Sequence, residues 1–299
     1  MYKAVKETSL KNRKPDYCGK VRDIFDQGDR LIIITTDRVS AYDHILPEPV
    51  PGRGVLLTQI SLFWFDMMKK YLPNHIITGN IDEFPKSLKE NAEEFAGRTV
   101  IVKKAERIDF ECIVRGYLTG GGYREYKKTG KISGIDIPEG MEDGDKFKAP
   151  IFTPTTKAEE GHDMPVTFDE MKEILIKQFP NMPDMADKLR EKSIYIYEKG
   201  RDYAEERGII LVDTKFEFGL VNGEIILIDE ILTPDSSRFW LKADYDKGEL
   251  KSFDKQIIRD YLKEKGFTGE GEPPHLTDEV IAETIKRYEW ILEALRKTV

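Results

Sequence analysis

The sequence contains little cysteine: Cys18 and Cys112 are the two in 299 residues. Two cysteines cannot build a dense disulfide framework, and neither lies in a CxxC motif, so we expect a reducing cytoplasm as the setting. The N-terminal stretch lacks an apolar core, which argues against a signal peptide. No apolar run approaches the roughly 18 residues of a membrane-spanning helix, so we expect no membrane partner.

The sequence also lacks an excess of positive charge. Its formal net charge is −8, from 47 basic and 55 acidic residues. Wholesale nucleic-acid binding usually needs a net basic surface, so we expect no nucleic-acid partner and anion binding only at local basic clusters. Hydrophobic residues make up 39% and charged residues 34%, which is typical of a globular protein with a well-hydrated surface.

The N-terminal hundred residues combine strand and helix patterns. Residues 16–46 contain β-branched runs on both sides of a glycine-containing turn at 27–29, which favours a hairpin. A helix is predicted over 58–71, because its apolar residues recur on one face and Pro73 follows as a stop. Residues 99–117 predict two more strands. These patterns indicate an α+β unit with an antiparallel sheet.

The stretch from Gly116 to Pro165 is dense in glycine, proline and charge and has weak periodicity. We therefore expect long functional loops there that move on ligand binding. Asn222-Gly223 predicts a hairpin between strands 209–220 and 224–232. The remaining pattern predicts helices over 168–179, 184–207 with Asp184 as a cap, 253–265, and 279–296 with an apolar stripe that packs into the core.

Charged residues concentrate between Asp213 and Arg238. Side chains of a strand alternate between faces, so Asp213, Lys215 and Glu217 share one face, which is either solvated surface or the wall of a site. Further on, the turn at 233–238 places hydroxyls before Arg238. Its guanidinium suits phosphate or carboxylate, although the loop could also simply cap the next segment.

The strand after the hairpin turn ends in two acids, and carboxylates at the end of a buried strand are typical of a Mg²⁺ site. A strict two-residue turn pairs Glu217 with Ile228, which would place Glu217 and Asp229 on opposite faces. Joint metal binding therefore predicts one extra residue in the hairpin, and a regular type I′ turn would count against it.

Three further motifs combine charge with glycine or a loop. Lys20 and Arg22 share a strand face beside a glycine, which suits nucleotide phosphates or is plain surface alternation. Arg115 precedes a glycine-rich stretch, as at an anion site or at a simple hinge. The loop at 153–163 contains Lys157 and His162, and the histidine is interpreted as structural because no zinc or Ser-His-Asp spacing accompanies it.

Six motifs occur in order: GKVRD, TTDRVSAYDHILPEPVPGRG, ECIVRGYLTGGGYREY, FTPTTKAEEGHD, VDTKFEFG and IDEILTPDSSRFW. Together they resemble the phosphoribosylaminoimidazole-succinocarboxamide synthase (SAICAR synthetase) family, over roughly residues 15–245. The resemblance implies a two-lobed α+β fold with antiparallel sheets, a kinase-like N-terminal lobe and ATP in the cleft between the lobes. Lobes over 1–113 and 114–299 are expected.

The implied reaction is a ligation in de novo purine biosynthesis. The carboxylate of carboxyaminoimidazole ribonucleotide (CAIR) is joined to the amine of L-aspartate with ATP and Mg²⁺, giving SAICAR, ADP and phosphate. A γ-phosphoryl group on the CAIR carboxylate makes an acyl phosphate, and that transfer depends on positioning and charge neutralisation. The alternatives are a small-molecule kinase, which needs no aspartate site, and a nucleotide-binding regulator without catalysis.

The resemblance also assigns residues to ligands. Lys20 and Arg22 would hold ATP phosphates, and the backbone near Lys104 and Glu106 would form the adenine-binding hinge. Glu217 and Asp229 resemble the Mg²⁺ ligands. The substrate residues are Arg115 and Arg238 on the CAIR phosphate, Glu111 near the ribose, Asp37, Ser40 and Asp235 in the same site, and Lys157, Asp163, Asp213 and Lys215 around the reacting groups.

Two details follow from that assignment. The amine of aspartate must lose a proton, and Asp213 is the first candidate to accept it, with Asp163 second. Asp213→Asn is then expected to keep nucleotide binding and lose turnover. The family usually has a serine that touches the CAIR phosphate where this chain has Gly121. Losing that hydroxyl contact costs on the order of 1 kcal/mol unless a neighbour such as Thr119 replaces it.

Overall fold

The computed structural model describes residues 2–42, 44–90, 92–157 and 164–297. Its strands, in chain order, are Tyr17–Cys18 (β1), Arg22–Asp26 (β2), Arg30–Thr35 (β3), Ser40–Ala41 (β4), His44–Ile45 (β5), Ile76–Thr78 (β6), Thr99–Lys103 (β7), Glu106–Arg107 (β8), Phe110–Tyr117 (β9), Lys131–Ile132 (β10), Ile135–Asp136 (β11), Lys146–Phe152 (β12), Thr155–Thr156 (β13), Ile209–Val221 (β14), Glu224–Ile228 (β15) and Ser237–Leu241 (β16).

The helices cover the large sheet and extend the C-terminal part of the chain. They are Arg53–Met68 (α1), Lys86–Lys89 (α2), Ala92–Phe95 (α3), Gly120–Thr129 (α4), Phe168–Gln178 (α5), Met185–Glu205 (α6), Lys242–Tyr245 (α7), Gln256–Glu264 (α8) and Asp278–Arg296 (α9). No helix within the described ranges is both long and apolar enough to cross a membrane.

The N-terminal sheet is antiparallel, with the strand order β1-β2-β3-β7-β6. β2 and β3 pair as the predicted hairpin. Phe25, Ile32, Ile34 and Ile101 pack on one side of this sheet with Phe95 in a small core of their own. The apolar run of β3 is continuous because both faces of the strand are covered: Ile32 and Ile34 face this core, and Ile33, on the opposite face, is also buried.

The second sheet is built around β14, which is 13 residues long. β14 is antiparallel to β16 along 209–214, to β9 along 213–216, to β15 along 217–221 and to β8 at 219–220. Every residue of β14 therefore has a hydrogen-bonded neighbour strand on at least one side. Together with the N-terminal sheet, this arrangement confirms the predicted α+β class with antiparallel sheets.

The two faces of β14 have different surroundings. Phe216 and Phe218 are buried in the main core, which the sheet forms with Trp64 of α1, Tyr197 of α6 and Tyr288 of α9. The alternate positions of β14 point to the opposite face, because successive side chains of a strand alternate. Packing on one face thus leaves the charged row free to line a site on the other.

The prediction of long loops from Gly116 to Pro165 is wrong in part. That stretch contains α4 and the short strands β10 to β13. Helix α4 was hidden by its three N-terminal glycines, yet its Tyr126 packs with Ile132 and Phe147 in a separate core. β10 and β11 pair with each other, whereas β13 pairs with the distant strand β9 and so has no local signal.

Other boundaries also differ from prediction. α1 begins at Arg53 rather than at 58, directly after Gly52, whose φ of 90° places it in the left-handed region. α8 begins at Gln256 rather than at 253, and Asp184 forms no side-chain cap on α6. β15 ends at 228 rather than at 232. The boundary between residues 113 and 114 would fall within β9, so the division into two lobes stays a prediction.

Candidate active site

A cleft of about 580 Å³, here called the first cleft, lies where the N-terminal sheet faces β14 and the end of β15. Ile24, Leu31 and Ile33 line it from the N-terminal sheet, and Lys20 and Arg22 stand beside them. Charged residues of the second sheet line its other side. Apolar side chains at one part and charges at another suit a ligand with a flat ring and an anionic tail.

The charged row of β14 forms a continuous ionic chain in this cleft. Lys215 Nζ lies 2.8 Å from Glu111 Oε1 and 2.7 Å from Glu217 Oε1. Lys157 forms an ion pair with the second oxygen of Glu217. Burial by itself would raise the pKa of Glu217, but Lys215 and Lys157 outweigh it and lower that pKa to about 2. Glu217 is therefore a carboxylate at neutral pH although it is only 3% exposed.

The hairpin that carries Glu217 is regular, which contradicts the extra residue predicted for it. Val221 pairs with Glu224 and Glu217 with Ile228, as a strict two-residue turn requires. Asp229 lies just beyond the strand and has a φ of 64°, in the left-handed region. Strict alternation ends where extended backbone ends. The two carboxylates consequently line the same cleft without an irregular hairpin.

Asp229 and its neighbour Glu230 are both held by Arg22. Arg22 Nη1 lies 2.5 Å from Asp229 Oδ1, and Arg22 Nη2 lies 2.8 Å from Glu230 Oε2. The residue predicted to grip phosphate is thus paired with a residue predicted to bind metal. An incoming nucleotide with its metal ion would separate them by offering each a new partner of opposite charge.

The acids of this cleft suit Mg²⁺ in one specific way. Within the described ranges, no group of three or more His, Cys, Asp or Glu side chains is placed to hold a metal on its own. Mg²⁺ commonly takes only one or two carboxylates and completes its shell with phosphate oxygens and water. Glu217 and Asp229 fit that use, whereas they would not form a cage for a metal without a nucleotide.

A second cleft of about 870 Å³ lies beyond the N-terminal end of α4. Gly120, Gly121, Arg124, Arg238 and Arg259 are among the residues that line it. Four guanidinium groups line it, counting that of Arg287, together with Lys251 and the carboxylates of Asp143, Asp244 and Asp260. Such an opening suits a phosphate group, which arginine binds with two parallel hydrogen bonds.

Asp213 ties the second cleft to the first. It lies opposite Arg115 on β9 and opposite Arg238 on β16, so the three residues stand side by side on adjacent strands. Its Oδ2 accepts from Arg115 Nη1 at 3.0 Å and from Arg238 Nη1 at 3.1 Å. Thr153 Oγ1 accepts from Arg115 Nε at 3.0 Å. Asp213 therefore fixes both arginines in place.

A buried ionic cluster lies behind the first cleft. Asp235 forms an ion pair with Arg53, which is fully buried at the start of α1, and its Oδ2 lies 3.7 Å from Lys255 Nζ. Burial alone would raise the pKa of Asp235, but Arg53 and Lys255 hold it well below its ordinary value. The cluster joins α1, the turn before β16 and the start of α8, because each segment supplies one charge.

Lys255 makes the stability of this cluster depend on pH. Burial lowers its pKa from 10.5 to about 8, against the opposing effect of Asp235. Between these values the unfolded chain binds more protons than the folded one, so the free energy of unfolding should rise with pH across that window. The rise attributable to Lys255 should reach at most about 3 kcal/mol.

Lys255→Met is expected to remove that rise, because methionine does not titrate. Chemical denaturation at several pH values from 7.5 to about 10.5 would measure it. Lys263→Met, which removes an exposed lysine of the same helix, is the matched control and should keep the wild-type slope. An identical slope in wild type and Lys255→Met would contradict the prediction.

The remaining predicted residues fall in different places. Ser40 and Asp235, which were predicted to bind the substrate, line the first cleft, and their role there stays a prediction. At the predicted adenine hinge, Lys103 and Ala105 line the cleft, whereas the side chains of Lys104 and Glu106 are exposed to solvent. Lys104 forms an ion pair with Asp26 there, and the adenine-binding hinge stays a prediction.

Asp37 does not face either cleft, contrary to expectation. It is fully buried, accepts hydrogen bonds from the backbone N–H groups of Val5 and Gly54, and lies 3.1 Å from Arg98 Nη1. Its role is to hold the start of α1 against the N-terminal sheet. Asp163, named as a second proton acceptor, and His162 lie outside the described residues.

Several site residues were not found from the sequence. Glu230 shares Arg22 with Asp229, and Arg53 carries the charge that holds Asp235. His75 lines the first cleft beside Asp229, and burial lowers its pKa to about 4, so its imidazole is neutral. The two adjacent acids were a usable signal for Glu230. His75 and Arg53 have no local pattern, because contacts distant in sequence define their roles.

Comparison with known proteins places this arrangement in a family. The model of the SAICAR synthetase family matches residues 16–274. The phosphoribosylaminoimidazole-succinocarboxamide synthase of Thermodesulfovibrio yellowstonii is 48% identical over 296 residues, covering 99% of each chain. That of Maridesulfovibrio salexigens is 46% identical over 291 residues, covering 96% of this chain and 95% of the relative.

Solved structures agree with the sequence comparisons. A SAICAR synthase from Saccharomyces cerevisiae complexed with SAICAR superposes with a TM-score of 0.85 at 35% identity, covering 98% of each chain. A type-2 SAICAR synthetase in complex with ADP gives a TM-score of 0.69 at 25% identity, covering 94% of this chain and 97% of the other. The chain with these two charged clefts belongs to the SAICAR synthetase family.

Proposed function

We propose that this chain is an ATP-dependent ligase that joins the carboxylate of CAIR to the amine of L-aspartate, with the nucleotide in the first cleft and the CAIR phosphate in the second. The products are SAICAR, ADP and phosphate. The relatives' names, the SAICAR bound to the yeast structure and the ADP bound to the type-2 structure support this assignment.

One observation carries the proposal. Asp213, Lys215 and Glu217 lie on one face of β14, where Asp213 holds Arg115 and Arg238, the second of which lines the second cleft, and Glu217 lines the first. Glu217 lies four positions after Asp213 along the strand, which corresponds to about 13 Å. A ribonucleotide whose phosphate is held by the arginines can therefore extend along the strand and present its carboxylate to a nucleotide in the first cleft.

The chain's own residues account for most of the chemistry that follows. Lys215 and Lys157 line the first cleft and would neutralise charge that develops as the γ-phosphoryl group moves to the CAIR carboxylate. Arg22 would turn from Asp229 to the nucleotide phosphates. The resulting acyl phosphate has a good leaving group, so the amine of aspartate can displace phosphate and form the amide.

Glu217 and Asp229 are the residues we propose to hold Mg²⁺. The metal supplies charge neutralisation at the β- and γ-phosphates when it is bound. Lys157 and Lys215 keep Glu217 ionised before the metal arrives, because both contribute to its lowered pKa. Arg22 keeps Asp229 in a fixed place in the same way.

The proton of the aspartate amine needs an acceptor, and Asp163 and Asp213 stay the two hypotheses. We propose that Asp213 acts first as a positioning residue, since one of its oxygens already accepts from two arginines.

A reducing cytoplasm is the expected setting, which suits the free thiols of Cys18 and Cys112. The kinase-like character of the N-terminal lobe is likewise part of the proposal.

Purified protein supplied with ATP, Mg²⁺, CAIR and L-aspartate is expected to release ADP and form SAICAR in equal amounts. Omitting CAIR or aspartate should abolish SAICAR, and chromatography of the products measures both. ATP hydrolysis that proceeds without aspartate and forms no SAICAR would contradict the ligase and favour a small-molecule kinase.

A further inference from the structure

Three consecutive glycines begin α4, and the first two of them lie beside the guanidinium groups of two different arginines. A Cβ atom added to Gly120 would lie 2.7 Å from both Nη atoms of Arg238. One added to Gly121 would lie 3.8 Å from Arg124 Nη2, and one added to Gly122 would lie 3.5 Å from Arg115 Nε. A Cβ at Gly122 would first meet Ile132 Cδ1, at 3.3 Å, so the glycines beside the second cleft are Gly120 and Gly121, which approach Arg238 and Arg124.

The three arginines differ in how they are held. Arg115 and Arg238 are both fixed by Asp213, at 3.0 and 3.1 Å. Arg124 comes from α4 itself, three residues after Gly121, and this spacing places it on the same face of the helix. It is exposed and lines the second cleft, and no ion pair of Arg124 is found with the residues that the structure describes.

Gly121 occupies the position where the resemblance leads one to expect a serine hydroxyl on the CAIR phosphate. The Gly121 site is open apart from Arg124, whose guanidinium approaches it in ordinary van der Waals contact. A guanidinium at this place offers an N–H donor to the phosphate, as the hydroxyl of a serine would offer its O–H. It also carries a positive charge.

We propose that Arg124 supplies the third cationic contact to the 5′-phosphate of the ribonucleotide, in place of the hydroxyl absent at residue 121. This inference rests on the proposed function, because it assumes that the second cleft holds that phosphate. Arg115 and Arg238 are rigid partners in a shared ion pair, whereas Arg124 is free to close over the phosphate after it has bound.

Arg124→Ala is expected to raise the KM for CAIR about tenfold while kcat and the KM for ATP change less than about twofold. The phosphate is tested directly by calorimetry with two ligands, SAICAR and its dephosphorylated nucleoside. The variant should weaken SAICAR about tenfold and leave the nucleoside unchanged, since only SAICAR carries the group that Arg124 contacts. Lys128→Ala removes the same charge from the same helix and is the matched control.

A rescue experiment separates a phosphate contact from a general effect on the helix. Gly121→Ser in the Arg124→Ala background should recover part of the lost SAICAR affinity, whereas Gly121→Ala in that background should not. Both substitutions fit, because a Cβ at residue 121 meets nothing closer than Arg124.

Equal loss for SAICAR and nucleoside, or the same loss in Lys128→Ala, would overturn the role given to Arg124 while leaving the ligase intact. The role of Arg124 would also be overturned if the wild-type protein ligates CAIR and aspartate and the Arg124→Ala variant has an unchanged KM for CAIR. Absence of ligation by the wild type would instead contradict the proposed function, and the inference would fall with it.

Discussion

Glu217→Gln is expected to lower turnover about a thousandfold, because it removes one of two carboxylates proposed for Mg²⁺ and leaves two ammonium groups without their shared acceptor. Lys157 and Lys215 both contact Glu217 in the wild type. A neutral amide cannot compensate two positive charges in a buried place, so these lysines would repel each other and move away from the reacting groups.

The same substitution should change the acid stability of the protein. The folded pKa of Glu217 is about 2, below its ordinary value of 4.5. The contribution of Glu217 to the free energy of unfolding is therefore fully present above pH 4.5 and is lost as pH falls from 4.5 to about 2. Glu217→Gln should lack this pH-dependent contribution. Thermal melts between pH 2 and 7 would measure the difference from wild type.

Two measurements complete the test of Glu217. Mg²⁺-dependent binding of ADP, followed by calorimetry, should weaken in Glu217→Gln while binding of ADP without Mg²⁺ should not. Glu224→Gln, which changes an exposed acid in the same hairpin, is the matched control and should resemble wild type. Near-normal turnover in Glu217→Gln would exclude Glu217 as a metal ligand.

Asp213→Asn is expected to lower turnover by a similar factor and also to raise the KM for CAIR about tenfold. The Oδ2 atom of Asp213 is the common acceptor of Arg115 and Arg238, and an amide oxygen in its place carries no negative charge to hold two guanidinium groups together. The two arginines should therefore separate, and the phosphate they hold should lose its fixed position. Nucleotide binding in the first cleft should be unchanged.

Hydroxylamine distinguishes this positioning role from a role as proton acceptor. It attacks acyl phosphates without needing a general base, so it bypasses a missing proton acceptor but not a misplaced substrate. ADP release from ATP and CAIR with hydroxylamine should stay low in Asp213→Asn. Asp136→Asn, which breaks a surface ion pair with Lys131, is the control. Full recovery with hydroxylamine and an unchanged KM would identify Asp213 as the proton acceptor instead.

The sequence predicted most of the regular elements, since their signals are local. The Asn222-Gly223 turn and helices α5, α6 and α9 lie within a few residues of their predicted places, and α9 packs its apolar stripe into the core. The stretch at 116–165 was misjudged because glycine at a helix start looks like a loop. Strands β12 and β13 depend on pairing with β9, which a local pattern does not contain.

For the site, alternation on a single strand was enough to bring Asp213, Lys215 and Glu217 to one face. It failed at Asp229, because a left-handed residue at the strand end depends on surrounding structure rather than on the turn count. Asp37 has the residue type of a site carboxylate, and only burial shows that it is internal. Arg53 and Lys255 were not predicted as site residues, because charged side chains are ordinarily exposed. The residues next to them in the sequence do not indicate that they are buried beside an acid.

Strand β14 has a further consequence for how the protein fails. Hydrogen-bonded neighbours flank it along its whole length, so its amide protons should exchange with solvent only when the entire molecule opens. The charged row is carried by that strand. The active site and the fold should then be lost in the same cooperative transition. On warming, every molecule that is still folded should keep full activity, and the inactivated molecules should be the unfolded ones.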